Sequence, residues 1–236
     1  MKIALLTTET KHHCLFVEKF LKYFPIDLII VETESVSAPF DTAHSFEAER
    51  EDFELEQFFK GDTPSLENYC PVHESRNINE PGVLEAMGRH NIDTVIVFGT
   101  SFIKGELLSR YKGSMINLHG GDTELYRGLD THLWAIYHND FDSVVTTLHL
   151  VDENLDTGHI IAKGQINLSN VNTLAELRAE NTLLCVELTV SAIAHFEKLG
   201  RFVTSKQRSL GRYYSFMPKD LKDVCVRKYN RYRDKL

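Results

Sequence analysis

The chain is poor in the features that would send it to a membrane, a metal site or a dinucleotide. Its longest apolar stretches are short: the first runs from residue 3 to residue 6 and meets the polar Thr7-Thr8-Glu9 at once. Such a run is too short for a signal-peptide core or for crossing a bilayer, so no membrane partner is expected. Cysteine is scarce. Cys14, Cys70, Cys185 and Cys225 form no Cys-x-x-Cys pair and no zinc spacing. They read as small buried thiols in a reducing compartment, and the cytoplasm is the expected location. Positive charge is also in deficit, 26 Lys and Arg against 34 Asp and Glu, a net charge of −8. An acidic chain gains nothing from counterion release on a polyanion, so no nucleic-acid partner is expected either. The first strand-to-helix turn, Thr7-Thr8-Glu9-Thr10, has none of the glycines a pyrophosphate cradle requires. That excludes a dinucleotide oxidoreductase.

What is present is an alternation of strands and helices. Residues 2–7, 26–32 and 94–98 are apolar runs of buried-strand length, and apolar positions 14, 16, 17, 20, 21 and 24 have helical spacing up to Pro25. Further strands are predicted at 114–118, 143–150 and 160–166, with a short edge strand within 72–79. Helices are predicted at 46–60, 81–90, 104–110, 129–138 and 173–200. The pattern predicts an α/β fold: an open, Rossmann-like, mostly parallel sheet flanked by helices, with a short C-terminal extension. The expected organisation is a catalytic domain over 1–200 with an insertion at about 35–80. A tail over 201–236 follows, rich in Tyr, Lys and Arg.

The chemistry concentrates between residues 95 and 160. A strand ends in Asn117-Leu118-His119. Strand residues two apart share a face, so Asn117 and His119 project together at the carboxyl edge of the sheet, where open α/β sheets bind ligands. Leu155-Asp156-Thr157-Gly158 follows just before another strand, and the glycine is expected to allow the turn that sets Asp156 at the strand mouth. An amide, an imidazole and a carboxylate suit acyl transfer to an amine. The amine must lose a proton, and the carbonyl oxygen becomes an oxyanion that needs donors. His12 and His13 are neighbours on a helix and do not face one another, so they are not read as a metal pair. His12 could instead touch an acceptor.

Asn-x-His followed some three dozen residues later by Asp-x-Gly, behind a hydrophobic strand and a glycine turn, resembles the folate-dependent formyltransferase family. That family includes glycinamide ribonucleotide transformylase, methionyl-tRNA formyltransferase and the sugar N-formyltransferases. The resemblance is strong over about 80–165 and weak over the N-terminal strands. It implies Asn117, His119 and Asp156 as the catalytic trio and N10-formyltetrahydrofolate, a reduced folate, as co-substrate, with no metal. It implies that the pterin rests on two loops. One holds Phe98, Gly99, Thr100, Ser101, Phe102 and Ile103, and the other holds Val151, Asp152 and Leu155. Many members have Pro after the His, where this chain has Gly120-Gly121-Asp122.

The segment Tyr126-Arg127-Gly128 resembles that of sugar N-formyltransferases and methionyl-tRNA formyltransferases more than that of the purine enzyme, and residues 119–134 with the tail motif 211–218 are most similar to formyltransferases of polysaccharide biosynthesis such as those acting on GDP-perosamine. The implied acceptor is therefore a nucleotide-linked amino sugar of polysaccharide (O-antigen) biosynthesis, contacted by Asp122, Tyr126, Arg127, His132, Arg212, Tyr213 and Tyr214. Each has a second reading. Asp122 suits a turn, Arg127 could brace its loop, His132 could be core, and Tyr213 and Tyr214 could be a packing patch. The chain is expected to be too short to add an RNA-binding domain. Transformylation of glycinamide ribonucleotide and non-catalytic folate or nucleotide binding stand as alternatives, and a homodimer through the tail or the sheet edge remains open.

Overall fold

The computed structural model describes residues 1–34 and 37–235; Ser35 and Val36, where the expected insertion begins, and Leu236, at the end of the tail, lie outside the described residues. The first strand, β1 (Ile3–Thr7), is buried along its whole length. It leads into α1 (Lys11–Phe20), capped by Thr10, whose hydroxyl accepts the His13 amide. Next come β2 (Leu28–Glu32), α2 (Ser45–Phe59), β3 (Val72–Ser75), α3 (Pro81–Arg89), β4 (Thr94–Phe98) and α4 (Gly105–Arg110). The second half holds β5 (Met115–His119), β6 (Tyr126–Gly128), α5 (Thr131–Tyr137), β7 (Val145–Leu150) and β8 (Ile160–Gln165). It ends with α6 (Leu177–Leu199), β9 (Arg212–Tyr214) and α7 (Lys219–Arg233).

Seven strands form one sheet in the order β3-β2-β1-β4-β5-β7-β8. The first five are parallel to their neighbours, while β7 runs antiparallel to β5 and β8 antiparallel to β7. Period-two burial divides the strands between two apolar layers. Leu5, Ile29, Ile96, Ile116 and Leu148 face α1 and α6. Leu6, Ile30, Val95, Val97 and Met115 face the side of α3 and α4. The expected α/β architecture is thus present, and β3 lies at one edge of the sheet, with β8 at the other.

Three features depart from the sequence expectation. Helix α1 ends at Phe20, four residues early. Leu21 and Phe24 keep the apolar spacing because they still pack on the same cluster from the turn that follows. The strand over 26–32 begins at Leu28, because the Asp27 carboxylate is used to hold the Ile3 amide at 2.9 Å. The tail, for which the sequence suggests no elements, is ordered into a strand and a helix. Its strand β9 pairs in parallel with β6, and α7 packs on α5 around Met217, Cys225 and Tyr229. Lys222 is buried on α7, where its ammonium donates to the Thr42 carbonyl at 2.6 Å and the Glu47 carboxylate at 2.8 Å. A paired, hydrogen-bonded ammonium can be buried at tolerable cost.

Candidate active site

A cleft of about 500 Å³ opens at the carboxyl ends of β1, β4 and β5. Asn117 and His119 reach it from one face of β5, as their spacing requires, and His149 stands opposite Asn117 in the antiparallel β5–β7 register. Asp156 arrives from the loop between β7 and β8. It has φ of 55°, a left-handed conformation. The turn therefore bends at Asp156, not at the glycine two residues on. Gly158 is required for another reason: a Cβ there would lie 1.7 Å from the Leu150 carbonyl oxygen.

The hydrogen bonds fix the tautomers. His149 Nδ1 donates to the Leu150 carbonyl at 2.8 Å, so its Nε2 accepts from the Asn117 amide at 3.1 Å. That contact orients Asn117 and leaves its second N–H for the cleft. His119 Nε2 donates to the Tyr126 carbonyl at 3.0 Å, which leaves Nδ1 as a lone pair 3.6 Å from Asp156. Burial pushes His119 below the usual imidazole range, against the pull of the Asp156 charge, so the ring is neutral at rest. Burial would raise Asp156, but the charge that His119 and His149 carry when protonated and the Gly128 N–H, which donates at 2.8 Å, hold its carboxyl down at about 2. An ionised carboxylate beside an unprotonated imidazole nitrogen is a vacant place for a proton: one arriving at Nδ1 would sit between two acceptors.

Every residue expected to hold the folate lines the cleft: Phe98 to Ile103 on one loop, and Val151, Asp152 and Leu155 on the other. The first loop is fixed by Glu32, which in the sequence reads only as a strand end. Its buried carboxylate accepts the Ser101 amide and hydroxyl, each at 2.6 Å, and the Ile78 amide at 2.8 Å. Ser101 is therefore committed to Glu32 through both of its donors. Glu32→Gln puts an N–H where a donor now points. It is expected to raise the KM for formyl donor about tenfold while kcat stays within twofold, the effect of loosening a binding loop away from the reacting groups.

The acceptor residues expected from sequence divide. His132 lines the cleft, with Nε2 donating to the Val145 carbonyl at 2.7 Å. The other six are not among the cleft-lining residues. Asp122 is paired with Lys163 at 2.6 Å. The Tyr126 hydroxyl donates to Asp140 at 2.9 Å, and its ring stacks on Tyr214, which stacks in turn on Trp134. Arg127 braces the site: Nε donates to the Gly211 carbonyl at 2.7 Å and Nη1 to the Leu155 carbonyl at 2.9 Å. Arg212 and Tyr213 are exposed on β9. In their place the cleft wall is built by His12 of α1, which the sequence offered as an acceptor contact, and by Phe46 and Arg50 of α2 and Arg178 and Asn181 of α6, which it did not. Only the fold brings these helices together. The tail contributes Gln207, whose Nε2 donates to the Asp156 and Gly158 carbonyls at 2.9 and 2.8 Å.

A model of the formyl transferase family matches residues 29–193, which is most of the chain and spans the whole of β5, the Asp156 loop and most of α6. The chain belongs to the formyl transferase family. The methionyl-tRNA formyltransferase of Clostridium beijerinckii is 32% identical to this formyl transferase chain over 162 residues, 67% of this chain and 52% of that protein. That of Finegoldia magna is 29% identical over 124 residues, 52% of this chain and 40% of that one. This family member thus spans about half, or less, of the length of the curated relatives it matches. Among solved structures, the formyltransferase PseJ of Anoxybacillus kamchatkensis is in complex with UDP-4,6-dideoxy-4-formamido-L-AltNAc and tetrahydrofolate. It superposes with a TM-score of 0.53 at 21% identity, covering 91% of this chain and 86% of that one. A 4-N formyltransferase from Francisella tularensis gives a TM-score of 0.60 at 15% identity, covering 97% and 87%. At such identities the likeness is one of fold.

The site also couples stability to pH. His13 is buried behind Gly99, its Nδ1 donating to the Thr8 carbonyl at 2.7 Å. Burial, partly opposed by that hydrogen bond, pulls it down to about 4, and burial does the same to His132. An unfolded imidazole takes up its proton near 6.5. Between about 4 and 6.5 the unfolded chain therefore binds more protons than the folded one, and stability falls as pH is lowered through that window. His13 alone is expected to remove roughly 2 kcal/mol between about pH 7 and pH 5. The melting temperature should drop by about 5 °C or more over that interval. A flat profile would show that these histidines are protonated in the folded state.

Proposed function

We propose that this protein transfers a formyl group from N10-formyltetrahydrofolate to the amine of a nucleotide-linked amino sugar. The observation that carries the reading is the constellation of Asn117, His119 and Asp156, gathered at the floor of one cleft within a formyl transferase fold. The folate supplies the activated formyl carbon. Its flat pterin suits a slot walled by Val97, Phe98, Ile103, Val151 and Leu155, with loop backbone at the rim for its polar edge.

The chain's own residues then divide the work. The Asn117 N–H that His149 does not engage is a donor for the oxygen on which negative charge grows as the amine adds to the carbonyl. His119 Nδ1 receives the proton the attacking amine must lose, and Asp156 stabilises the resulting imidazolium. The same proton can then pass to the nitrogen that leaves. Arg127 and Gln207 hold the Asp156 turn in place and are positioning residues.

The acceptor assignment rests on overall charge. The chain carries −8; of the cations of α7, Lys222, Lys228 and Arg233 donate to Glu47 and to backbone carbonyls, while Arg227 and Arg231 are exposed. An RNA acceptor is a polyanion, which a net charge of this sign does not attract. One observation favours a second reading, formylation of methionyl-tRNA: the curated relatives sharing 27–34% identity with the chain have that activity in their names. A turnover assay separates the two. Purified protein with N10-formyltetrahydrofolate is expected to release tetrahydrofolate with one of a panel of UDP-, GDP- and dTDP-linked amino sugars. Release with methionyl-tRNA alone would move the assignment to the second reading, and release only with glycinamide ribonucleotide would move it to purine synthesis.

A further inference from the structure

The wall built by α1, α2 and the start of α6 carries two guanidiniums, and they are not equivalent. Arg178 is already paired with two carboxylates through Nε and Nη2. Its Nε donates to Glu54 at 2.7 Å, and its Nη2 reaches both Glu54, at 2.6 Å, and Glu51, at 2.5 Å. Arg50 faces the same cleft and makes no salt bridge within 4 Å among the described residues. Its Nε is buried without a hydrogen-bond partner. The carboxylates that could serve it on its own helix are all engaged. Glu47 holds Lys222 and the His44 amide, Glu51 holds Arg178 and Lys11, and both oxygens of Glu54 hold Arg178. Glu47, Glu54 and Glu51 attract it at longer range, and the Phe46 ring centroid lies 5.9 Å from its Cζ. A buried donor left unpaired costs stability; apart from Asp130, whose Oδ2 accepts the Met217 amide, the acids near this cation are bound to other cations, which leaves its fork open to an anion in the cleft.

We infer that Arg50 docks a phosphoryl group of the acceptor against the α1–α2–α6 wall of the cleft. This rests on the nucleotide-linked acceptor proposed above, whose diphosphate offers oxygens in the plane of a guanidinium fork. It also places the anion contact on α2 and not on the tail, where Arg212 was among the expected acceptor residues. His12 on the same wall is held well below the usual imidazole range by burial and by the nearby His13, Arg178 and Arg50, so at neutral pH it adds no charge of its own. The positive charge there belongs to arginine.

The test is calorimetric titration of UDP, GDP, dTDP, the matched nucleosides and inorganic pyrophosphate into wild type, Arg50→Met and Arg50→Lys. At least one diphosphate is expected to bind wild type and to weaken about tenfold to a hundredfold in Arg50→Met. Arg50→Lys should fall between, since an ammonium keeps the charge but not the fork. Nucleoside and tetrahydrofolate binding should stay within twofold. The melting temperature of Arg50→Met should be unchanged or higher, because a like-charged neighbour of Arg178 is removed; a purely structural Arg50 would lower it. Equal diphosphate affinity in wild type and Arg50→Met, or no diphosphate or pyrophosphate binding to wild type, would overturn the inference. The two proposals fail separately. Formyl transfer to a nucleotide sugar with a KM untouched by Arg50→Met removes this one alone, whereas Arg50-dependent diphosphate binding without formyl transfer removes the other alone.

Discussion

Asp156→Asn is expected to lower kcat for formyl transfer by about a thousandfold to ten-thousandfold while leaving the fold and folate affinity intact. The substitution is nearly isosteric, and its backbone cost is small, because Asn is among the few residues that accept the left-handed conformation found at φ 55°. An Asn oxygen can still accept the Gly128 amide now held at 2.8 Å, and Gln207 grips the Asp156 main-chain carbonyl, which the substitution does not touch. What disappears is the negative charge 3.6 Å from both His119 Nδ1 and His149 Nε2. Without it an imidazolium at His119 is buried and unpaired, a state that costs several kcal/mol. The check is single-turnover formyl transfer alongside tetrahydrofolate titration. Turnover within tenfold of wild type would remove Asp156 from the chemistry.

The second large effect is on stability. Gly158→Ala is expected to destabilise the protein by about 3 kcal/mol or more, or to prevent folding altogether. Its Cβ would lie 1.7 Å from the Leu150 carbonyl oxygen and 2.7 Å from its carbon, and neither is the end of a flexible side chain. To make room, the β7–β8 connection must separate from Leu150, which is the acceptor that sets the His149 tautomer. One methyl group thereby disturbs the orientation of Asn117 and the turn of Asp156 together. Gly88 in α3 is the matched control. A Cβ added there would meet nothing within 4 Å, and Gly88→Ala should stabilise by about 0.5–1 kcal/mol through helix propensity and reduced freedom of the unfolded chain. Urea unfolding of both variants gives the comparison. Equal midpoints would show that the close approach at Gly158 is not needed.

The contrast between those two glycines shows how far the sequence can be read. That Gly158 matters was legible from Asp-x-Gly; the reason was not, since the positive φ falls on Asp156 and the glycine answers to a carbonyl eight residues earlier in the chain. Strands β1, β2, β4 and β5 were legible because buried parallel strands write themselves as short apolar runs, and the shared face of Asn117 and His119 followed from period two. His149 was not legible because its place opposite Asn117 depends on β7 returning antiparallel, and alternation in a single strand does not reveal its direction. The tail helix did leave a signal, Leu221, Cys225 and Tyr229 at intervals of four. The Lys and Arg residues around it obscured that signal, and one of them, Lys222, is itself buried. Arg127 and Arg50 mark the deeper limit. Sequence supplies a guanidinium at each position, but only the fold shows that the first is spent on backbone carbonyls and that the second has no carboxylate within salt-bridge distance among the described residues.

The most direct test of the account is to follow an isotopically labelled formyl carbon from N10-formyltetrahydrofolate into amino-sugar nucleotides with wild type and Asp156→Asn side by side. The account predicts label on the amine of one nucleotide sugar with wild type and almost none with the variant. Label that stays on the folate with every amino-sugar nucleotide, or that transfers equally well with both proteins, would contradict it.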